Sequence, residues 1–85
     1  MNRCEICGRY GYTEDHHVYF GPNRKHSDRW GMVAKLCPSC HRNSNDSVHH
    51  NIEIDRRLKR EYQAKFEAKH GRELFVKIFG RNYII

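Results

Sequence analysis

Four cysteines, arranged as two C-x-x-C pairs, constrain the fold of this 85-residue chain more than any other feature. The pairs are Cys4/Cys7 and Cys37/Cys40, and residues 8–36 lie between them. A chain of this length is close to the limit at which a hydrophobic core alone is sufficient, and only 38% of its residues are hydrophobic. Paired cysteines in a reduced compartment favour metal over disulfides, so the spacing predicts a structural Zn²⁺ held by all four thiolates.

The charge of the chain indicates its kind of partner. Lys and Arg number 16 against 10 Asp and Glu, which gives a net charge of +6 and a pI of about 9.4. A basic surface attracts phosphate backbones, which modestly favours a nucleic acid as partner; the alternative is a solvated basic surface that aids solubility. The N-terminal residues contain no apolar signal segment, and no run is long enough to cross a bilayer. We therefore expect an intracellular protein that does not bind membranes.

The first half of the chain predicts a β-hairpin followed by a short helical turn. Residues 17–20 and 32–37 have the β-branched and aromatic bias of strands. Residues 21–31 are predicted to be a polar connection, because Gly-Pro and Gly bound them. Pro38 suits the first position of a helix, and the turn it begins is expected to reach Asn43.

The second half of the chain predicts two helices that pack behind the hairpin. The longer one covers about 51–70 and ends at Gly71, and the shorter one covers 74–79 and ends at Gly80. The apolar stripe of the longer helix, which we assign to the core, is Ile54, Leu58, Tyr62 and Phe66. The whole chain, residues 1–85, is therefore predicted to be one α+β domain.

Five of the seven histidines gather near the start of the first predicted strand and just beyond the second. They are His16, His17, His41, His49 and His50. A hairpin followed by a turn would bring these two regions together. Neutral imidazole is the commonest transition-metal ligand, and histidine is the commonest general base near neutral pH. The grouped histidines are therefore candidates for metal binding or for general-base chemistry.

The order of these motifs resembles a known family. C-x-x-C, then a His doublet, then a strand and C-x-x-C-H is similar to the zinc-knuckle HNH nucleases, over residues 4–50. The stretches "HHVYFG", "GMVAKLCPSCHR" and "KIFGRNY" resemble the phage recombination-enhancement, recombinase-dependent nucleases. The resemblance implies a ββα-metal finger over residues 1–50, a helical part over 51–85, and a metal-dependent DNA endonuclease. It further implies a phage or prophage protein acting in the cytoplasm of a bacterial host.

The resemblance also implies roles for four histidines. His17 would be the general base that activates water for phosphodiester hydrolysis. His16, His41 and His49 would hold one catalytic divalent metal, which would stabilise the phosphate and the departing 3′ oxygen. The candidate metals are Zn, Ni, Mn and Mg. His50 is expected to be a solvated neighbour rather than a ligand.

The identity of the ligand next to His17 stays open. Strict alternation in a strand places Asp15 and His17 on one face and His16 on the other. We rank His16 above Asp15 as the ligand; a site of histidines alone suits Zn, Ni or Mn, whereas a carboxylate favours Mg or Mn. The family usually has Asn where this chain has Met32, which leaves the bracing of the loop in doubt, and Asn23 is a candidate substitute.

The second open choice concerns the segment after Cys40. If residues 38–50 formed one straight helix, His41 and His49 would stand about 12 Å apart at ~1.5 Å per residue, too far for one ion. His41 would then share the ion with Asn45. The breaker residues 44–47 favour a turn instead, so we rank His49 above Asn45.

Basic and aromatic residues complete the prediction. Candidate contacts to DNA phosphates are Arg24, Lys25, Arg29 and Arg42. Trp30 is expected to anchor the core, with stacking on a base as the alternative. Two other functions are compatible with the same residues: a DNA-binding zinc-knuckle module without catalysis, and a recombination accessory nuclease that cuts only with a recombinase–DNA filament.

Overall fold

The computed structural model describes residues 1–45 and 47–84. These residues contain two small antiparallel sheets and three α-helices. The first sheet pairs β1 (Asn2–Arg3) with β2 (Tyr10–Gly11), and the second pairs β3 (Glu14–His17) with β4 (Val33–Leu36). The predicted α+β class is confirmed. Within the described ranges, no helix is both long and apolar enough to cross a membrane.

β3 lies earlier in the chain than predicted. It covers Glu14–His17 rather than residues 17–20, so the two histidines end the strand instead of opening it. The apolar residues that suggested a strand, Val18 and Tyr19, are buried in the core beyond its end. The hydroxyl of Ser27 bonds both the N–H and the C=O of Tyr19, at 3.0 and 2.6 Å, and so takes the place of a strand partner.

The connection predicted over residues 21–31 contains a helix, which corrects the sequence analysis. A 3₁₀ turn, Gly21–Asn23, leads directly into α1 (Arg24–Trp30). The inner face of α1 is anchored by Ser27, which is fully buried. Gly31 ends the helix with φ 72°, a left-handed conformation that glycine adopts without steric cost.

A short helical turn follows β4, as predicted, with π-type hydrogen bonding over Ser39–Asn43. It stops at Ser44, whose φ of −99° and ψ of 164° are extended. Further along, the N–H of Val48 donates to the C=O of Cys40 at 2.8 Å. The chain therefore turns back on itself and does not continue as a helix to residue 50.

The two C-terminal helices confirm the prediction. They are α2 (Ile52–His70) and α3 (Arg72–Phe79). The side chain of Asn51 caps α2, because its oxygen accepts hydrogen bonds from two backbone N–H groups of the first turn at 3.0 and 3.3 Å. Gly80 ends α3 with φ 77°.

The core lies between the β3–β4 hairpin and the helices α2 and α3. Tyr19, at 1% exposure, packs its ring against Phe75 and Phe79 at 5.3 and 4.6 Å between centroids. Its hydroxyl donates to the C=O of Lys59 at 2.6 Å, which ties the hairpin end to α2. Tyr83 returns to the same cluster, 5.4 Å from the Tyr19 ring. The C-terminal helices therefore support the hairpin from behind.

Candidate metal centre

The four cysteines lie in one cluster, although residues 8–36 separate the two pairs in sequence. Their sulfur atoms all lie within 4.8 Å of one another, and all four are free thiols. Cys4 and Cys37 are buried, at 2% and 6% exposure, while Cys7 is exposed and Cys40 is partly buried. The cluster could hold a metal ion, as the spacing predicts.

Backbone hydrogen bonds bring the first cysteine pair to the second. The N–H of Gly8 donates to the C=O of Cys4 at 2.9 Å and closes the first C-x-x-C turn. Glu5 then joins this turn to β4, because its N–H donates to the C=O of Lys35 while its carboxylate accepts from the N–H of Lys35, at 2.9 and 2.6 Å. The second pair begins two residues after Lys35, so the two turns meet.

The thiols differ in their affinity for protons. Burial raises the pKa of the Cys4 thiol, but backbone N–H groups, first that of Cys7, donate to its sulfur and lower the pKa to about 6. Burial and hydrogen bonds with the neighbouring thiols raise the pKa of Cys40. Repulsion among adjacent thiolates opposes ionisation of the whole set. A bound cation would remove that opposition, because it deprotonates the thiols that coordinate it.

Three histidines form a second cluster. Nitrogen atoms of His16, His41 and His49 lie within 4.8 Å of one another. The ring centroids are 5.2 Å apart for His16 with either partner and 4.9 Å apart for His41 with His49. The three rings come from β3, from the π-helical turn and from the turn after it. The structure thus brings together the set that the sequence analysis ranked first as ligands of a second metal.

His16 supplies the most direct sign that this cluster fits an ion. It is 3% exposed, and its Nε2 is buried without a hydrogen-bond partner among the described residues. Burial, followed by the charges of His41 and His49, lowers the pKa of His16 to about 3, so its ring is neutral. A buried polar atom without a partner costs about 1–3 kcal/mol. A metal ion bound to the neutral nitrogen would remove that cost.

Glu14 orients the His41 ring of the cluster, and this role was not predicted. Its carboxylate accepts from Nδ1 of His41 at 2.7 Å and from the guanidinium of Arg42 at 2.9 Å. The hydrogen bond with His41 is the main cause that lowers the pKa of Glu14. With Nδ1 engaged, Nε2 of His41 is the nitrogen left for an ion. Alternation along β3 was the available signal, because it places Glu14 on the face of His16.

The other face of β3 carries Asp15 and His17. Asp15 forms an ion pair with Lys35 and does not belong to the histidine cluster. Nε2 of His17 lies 2.6 Å from Oδ1 of Asp28 on α1. Asp28 was not predicted, because the segment that carries it was expected to be an irregular connection.

Side chains from both faces of β3 line one open depression of about 390 Å³. Besides the three clustered histidines, its lining includes Asp15, His17, Phe20, Arg24 and Arg42. Two of the four predicted phosphate contacts, Arg24 and Arg42, therefore lie beside the histidines. Lys25 and Arg29 are exposed on α1 and do not line the depression.

The remaining candidates lie outside the cluster. Asn45 is exposed in the turn after the π-helical segment, and the break at Ser44 removes the straight helix that would pair it with His41. His50 is exposed, with its Nδ1 2.8 Å from the hydroxyl of Ser47. Asn23 donates to the C=O of Phe79 at 3.0 Å and so braces the start of α1 against α3.

No protein-family model, curated protein or solved structure matches this chain. Membership of the HNH nucleases, which the sequence resemblance predicts, stays a prediction. The described residues themselves define two clusters of different chemistry: four thiols that meet each other, and three imidazoles that open onto a depression with basic side chains.

Proposed function

We propose that this chain is a metal-dependent DNA endonuclease of the HNH class. The observation that supports the proposal most is the triad of His16, His41 and His49 beside His17, all lining one basic depression. In this proposal the β3–β4 hairpin and the π-helical turn act as the ββα-metal finger. The cysteine cluster holds a structural zinc that keeps the hairpin and the turn together.

Zinc fits the dimensions of the cysteine cluster. Bonds of about 2.3 Å from zinc to sulfur place tetrahedral sulfur ligands about 3.8 Å apart. The sulfur atoms of Cys7 and Cys37 are 3.8 Å apart. Four thiolates fill a tetrahedral shell and leave no position for water or substrate, so this ion would serve the fold alone.

The histidine triad fits a second, catalytic ion. Three neutral nitrogens leave coordination positions for a water and a phosphate oxygen, as in catalytic sites. Imidazole ligands suit Zn, Ni or Mn better than Mg. When bound, the ion would supply Lewis-acid stabilisation of the phosphate and of the departing oxygen. Glu14 would hold the His41 ring in the orientation that this ion requires.

His17 would act as the general base. The carboxylate of Asp28 accepts a hydrogen bond from Nε2–H of His17. In the neutral tautomer that carries its hydrogen on Nε2, the Nδ1 atom is unprotonated. An unprotonated nitrogen beside the phosphate could take the proton of the attacking water. Arg24 and Arg42 would bind the phosphate oxygens and position the strand.

Cleavage of a supercoiled plasmid tests the proposal. Wild-type chain is incubated with Mn, Ni, Zn or Mg, and nicked and linear products are quantified. We expect His17→Ala to reduce the cleavage rate by roughly 10²–10⁴-fold, the usual contribution of a positioned general base. His26→Ala is the matched control, because His26 lies outside the depression. An inert wild type, or a His17→Ala variant that cuts at the wild-type rate, would refute the mechanism.

Metal counting by native mass spectrometry separates an endonuclease from a DNA-binding module. The proposal predicts two ions in the wild type under metal saturation and one in His41→Ala. One ion in both would favour a zinc-knuckle module without catalysis. If plasmid cleavage is weak alone but strong when a recombinase–DNA filament is added, the filament is the working partner.

A further inference from the structure

A second recess lies on the far side of α1 from Asp28. We call it the aromatic cleft; its volume is about 460 Å³. The side chains that define it are Trp30, Tyr62, Lys65, Phe66, Lys69 and His70. This volume lies within the roughly 300–1,000 Å³ range of clefts that bind small ligands.

Aromatic rings form the floor of the cleft. The Trp30 ring lies 5.4 Å from that of Phe66 and 5.3 Å from that of His70, and the latter two are 4.8 Å apart. Phe66 is buried, whereas Trp30 is only partly buried and His70 is exposed. Trp30 packs against the core, as predicted, and also lines the cleft. Such a surface suits a flat, π-rich ligand.

The rim of the cleft is basic. Lys65 and Lys69 are both exposed, one helical turn apart on α2. Among residues 1–45 and 47–84, neither ammonium has a carboxylate within ion-pair distance. The carbonyl end of α2 does not attract anions, so an anion here would be held by the lysines. Aromatic floor and cationic rim together match a base attached to phosphate.

The position of the cleft relates it to the histidine site. Asp28 and Trp30 are two residues apart in α1, which turns them about 160° away from each other around the helix. His17 thus contacts one side of α1, while the cleft adjoins the other. Lys25 and Arg29, both exposed, lie on the outer surface of the helix between these two sides. A strand crossing α1 beyond the exposed carboxylate of Asp28 would meet the positive charges of Lys25 and Arg29.

We infer that the aromatic cleft binds one nucleotide of single-stranded DNA, with the base against Trp30 and the phosphates on Lys65 and Lys69. A base inside a duplex is stacked on its neighbours, so only an unpaired base can present its face to the indole. The choice of DNA over RNA rests on the proposed function, whereas the existence of the cleft does not depend on it.

Fluorescence of the single tryptophan tests this inference directly. A short oligothymidylate is titrated into the 85-residue chain without added divalent metal, so that no cleavage occurs. Stacking of a base on Trp30 is expected to quench the emission saturably. Duplex DNA of the same length is expected to quench it much less. Absence of quenching by the single strand, or equal quenching by the duplex, would overturn the inference.

The affinities of two double variants at exposed basic residues supply the matched comparison. Lys65→Ala/Lys69→Ala removes two cleft charges, whereas Arg56→Ala/Arg60→Ala removes two exposed charges that are also one turn apart on α2 but lie outside the cleft. Each phosphate contact to a single strand contributes about 0.7 to the slope of log affinity against log salt, so the cleft variant should lose about 1.4 of slope. That change corresponds to a loss of affinity on the order of tenfold at 0.1 M salt. Equal affinities of the two double variants would contradict the assignment.

Two measurements separate this inference from the proposed function. Plasmid cleavage reports on the histidine cluster, whereas metal-free quenching reports on the cleft, so either can fail while the other succeeds. Tighter binding of an oligouridylate than of the oligothymidylate would overturn DNA as the ligand of the cleft.

Discussion

The cysteine cluster and the histidine triad are joined by a single peptide bond, between Cys40 and His41, yet their ligand atoms and their supporting contacts differ. The cysteine cluster offers four thiols, and backbone N–H groups donate to the sulfur of Cys4. The triad opens on a depression with arginines, and one of its members, His49, is exposed. Ligand number, with four donors in one cluster and three in the other, therefore distinguishes a site suited to structure from one suited to chemistry.

The supporting interactions differ as well. Backbone N–H groups, which stabilise thiolates, hold the cysteine side. A carboxylate, that of Glu14, holds the His41 ring and leaves its other nitrogen available. Substitutions can therefore separate the two regions: those at the cysteines should act on folding, and those around the histidines should act on the second metal.

The largest effect is expected from Cys37→Ser. Loss of one thiolate should prevent tight zinc binding, and structural zinc contributes roughly 10–16 kcal/mol to small zinc domains. Circular dichroism and zinc content should both show an unfolded, zinc-free chain. His41→Ala is the comparison and should keep its fold and its zinc. A folded Cys37→Ser variant would break the distinction between the two regions.

His49→Ala should abolish binding of the second metal while the fold persists. His50→Ala is a matched control, because this exposed neighbour contacts Ser47 rather than the triad. Calorimetric titration of each folded, zinc-loaded variant with Mn or Ni measures the effect. If both variants lose the second ion equally, the triad has been assigned incorrectly.

Glu14→Gln should weaken the second metal without removing it. The amide keeps the shape of the side chain but loses the charge that the His41 ring and Arg42 contact. Loss of such a partner usually lowers metal affinity 10–100-fold. The same titration measures it, with Glu73→Gln, an exposed change on α3, as control. Unchanged affinity would show that Glu14 does not support the site.

The smallest effect is expected from Asn51→Ala. Removing the cap of α2 should lower the free energy of unfolding by about 1 kcal/mol. Urea denaturation measures this change, and zinc content should remain that of the wild type. Loss of zinc in this variant would mean that the cysteine cluster depends on the C-terminal helices more than its local contacts indicate.

Sequence reasoning succeeded where the signals are local. α2 and α3 were predicted with their ends because amphipathic spacing and Gly71 and Gly80 act within a few residues. Each C-x-x-C pair was predicted because its spacing is itself a local turn, and the meeting of the two pairs was predicted from the four ligands that a structural zinc takes. The bounds of β3 were predicted wrongly, and α1 was not predicted. The hydroxyl of Ser27 in α1 hydrogen-bonds the backbone of Tyr19, and this contact between residues eight positions apart is not visible in either segment alone.

The same reason explains the site residues that were missed. Glu14 contacts His41 across 27 positions of sequence, and Asp28 contacts His17 across 11 positions. Each carboxylate is unremarkable in its own segment, and only the fold shows which ring it meets. The histidines themselves could be proposed, because their grouping around the cysteines is visible in the sequence and resembles a family motif.

The π-helical turn has a consequence for the order in which ions can be loaded. Cys40 and His41 are consecutive within it, and the C=O of Cys40 holds the N–H of Val48, the residue before His49. A chain without zinc would therefore lack the backbone that gathers two of the three imidazoles. We expect zinc to enter first and any other metal afterwards. In a zinc-starved cell, newly made chains would lack the assembled histidine triad however much manganese or nickel was present.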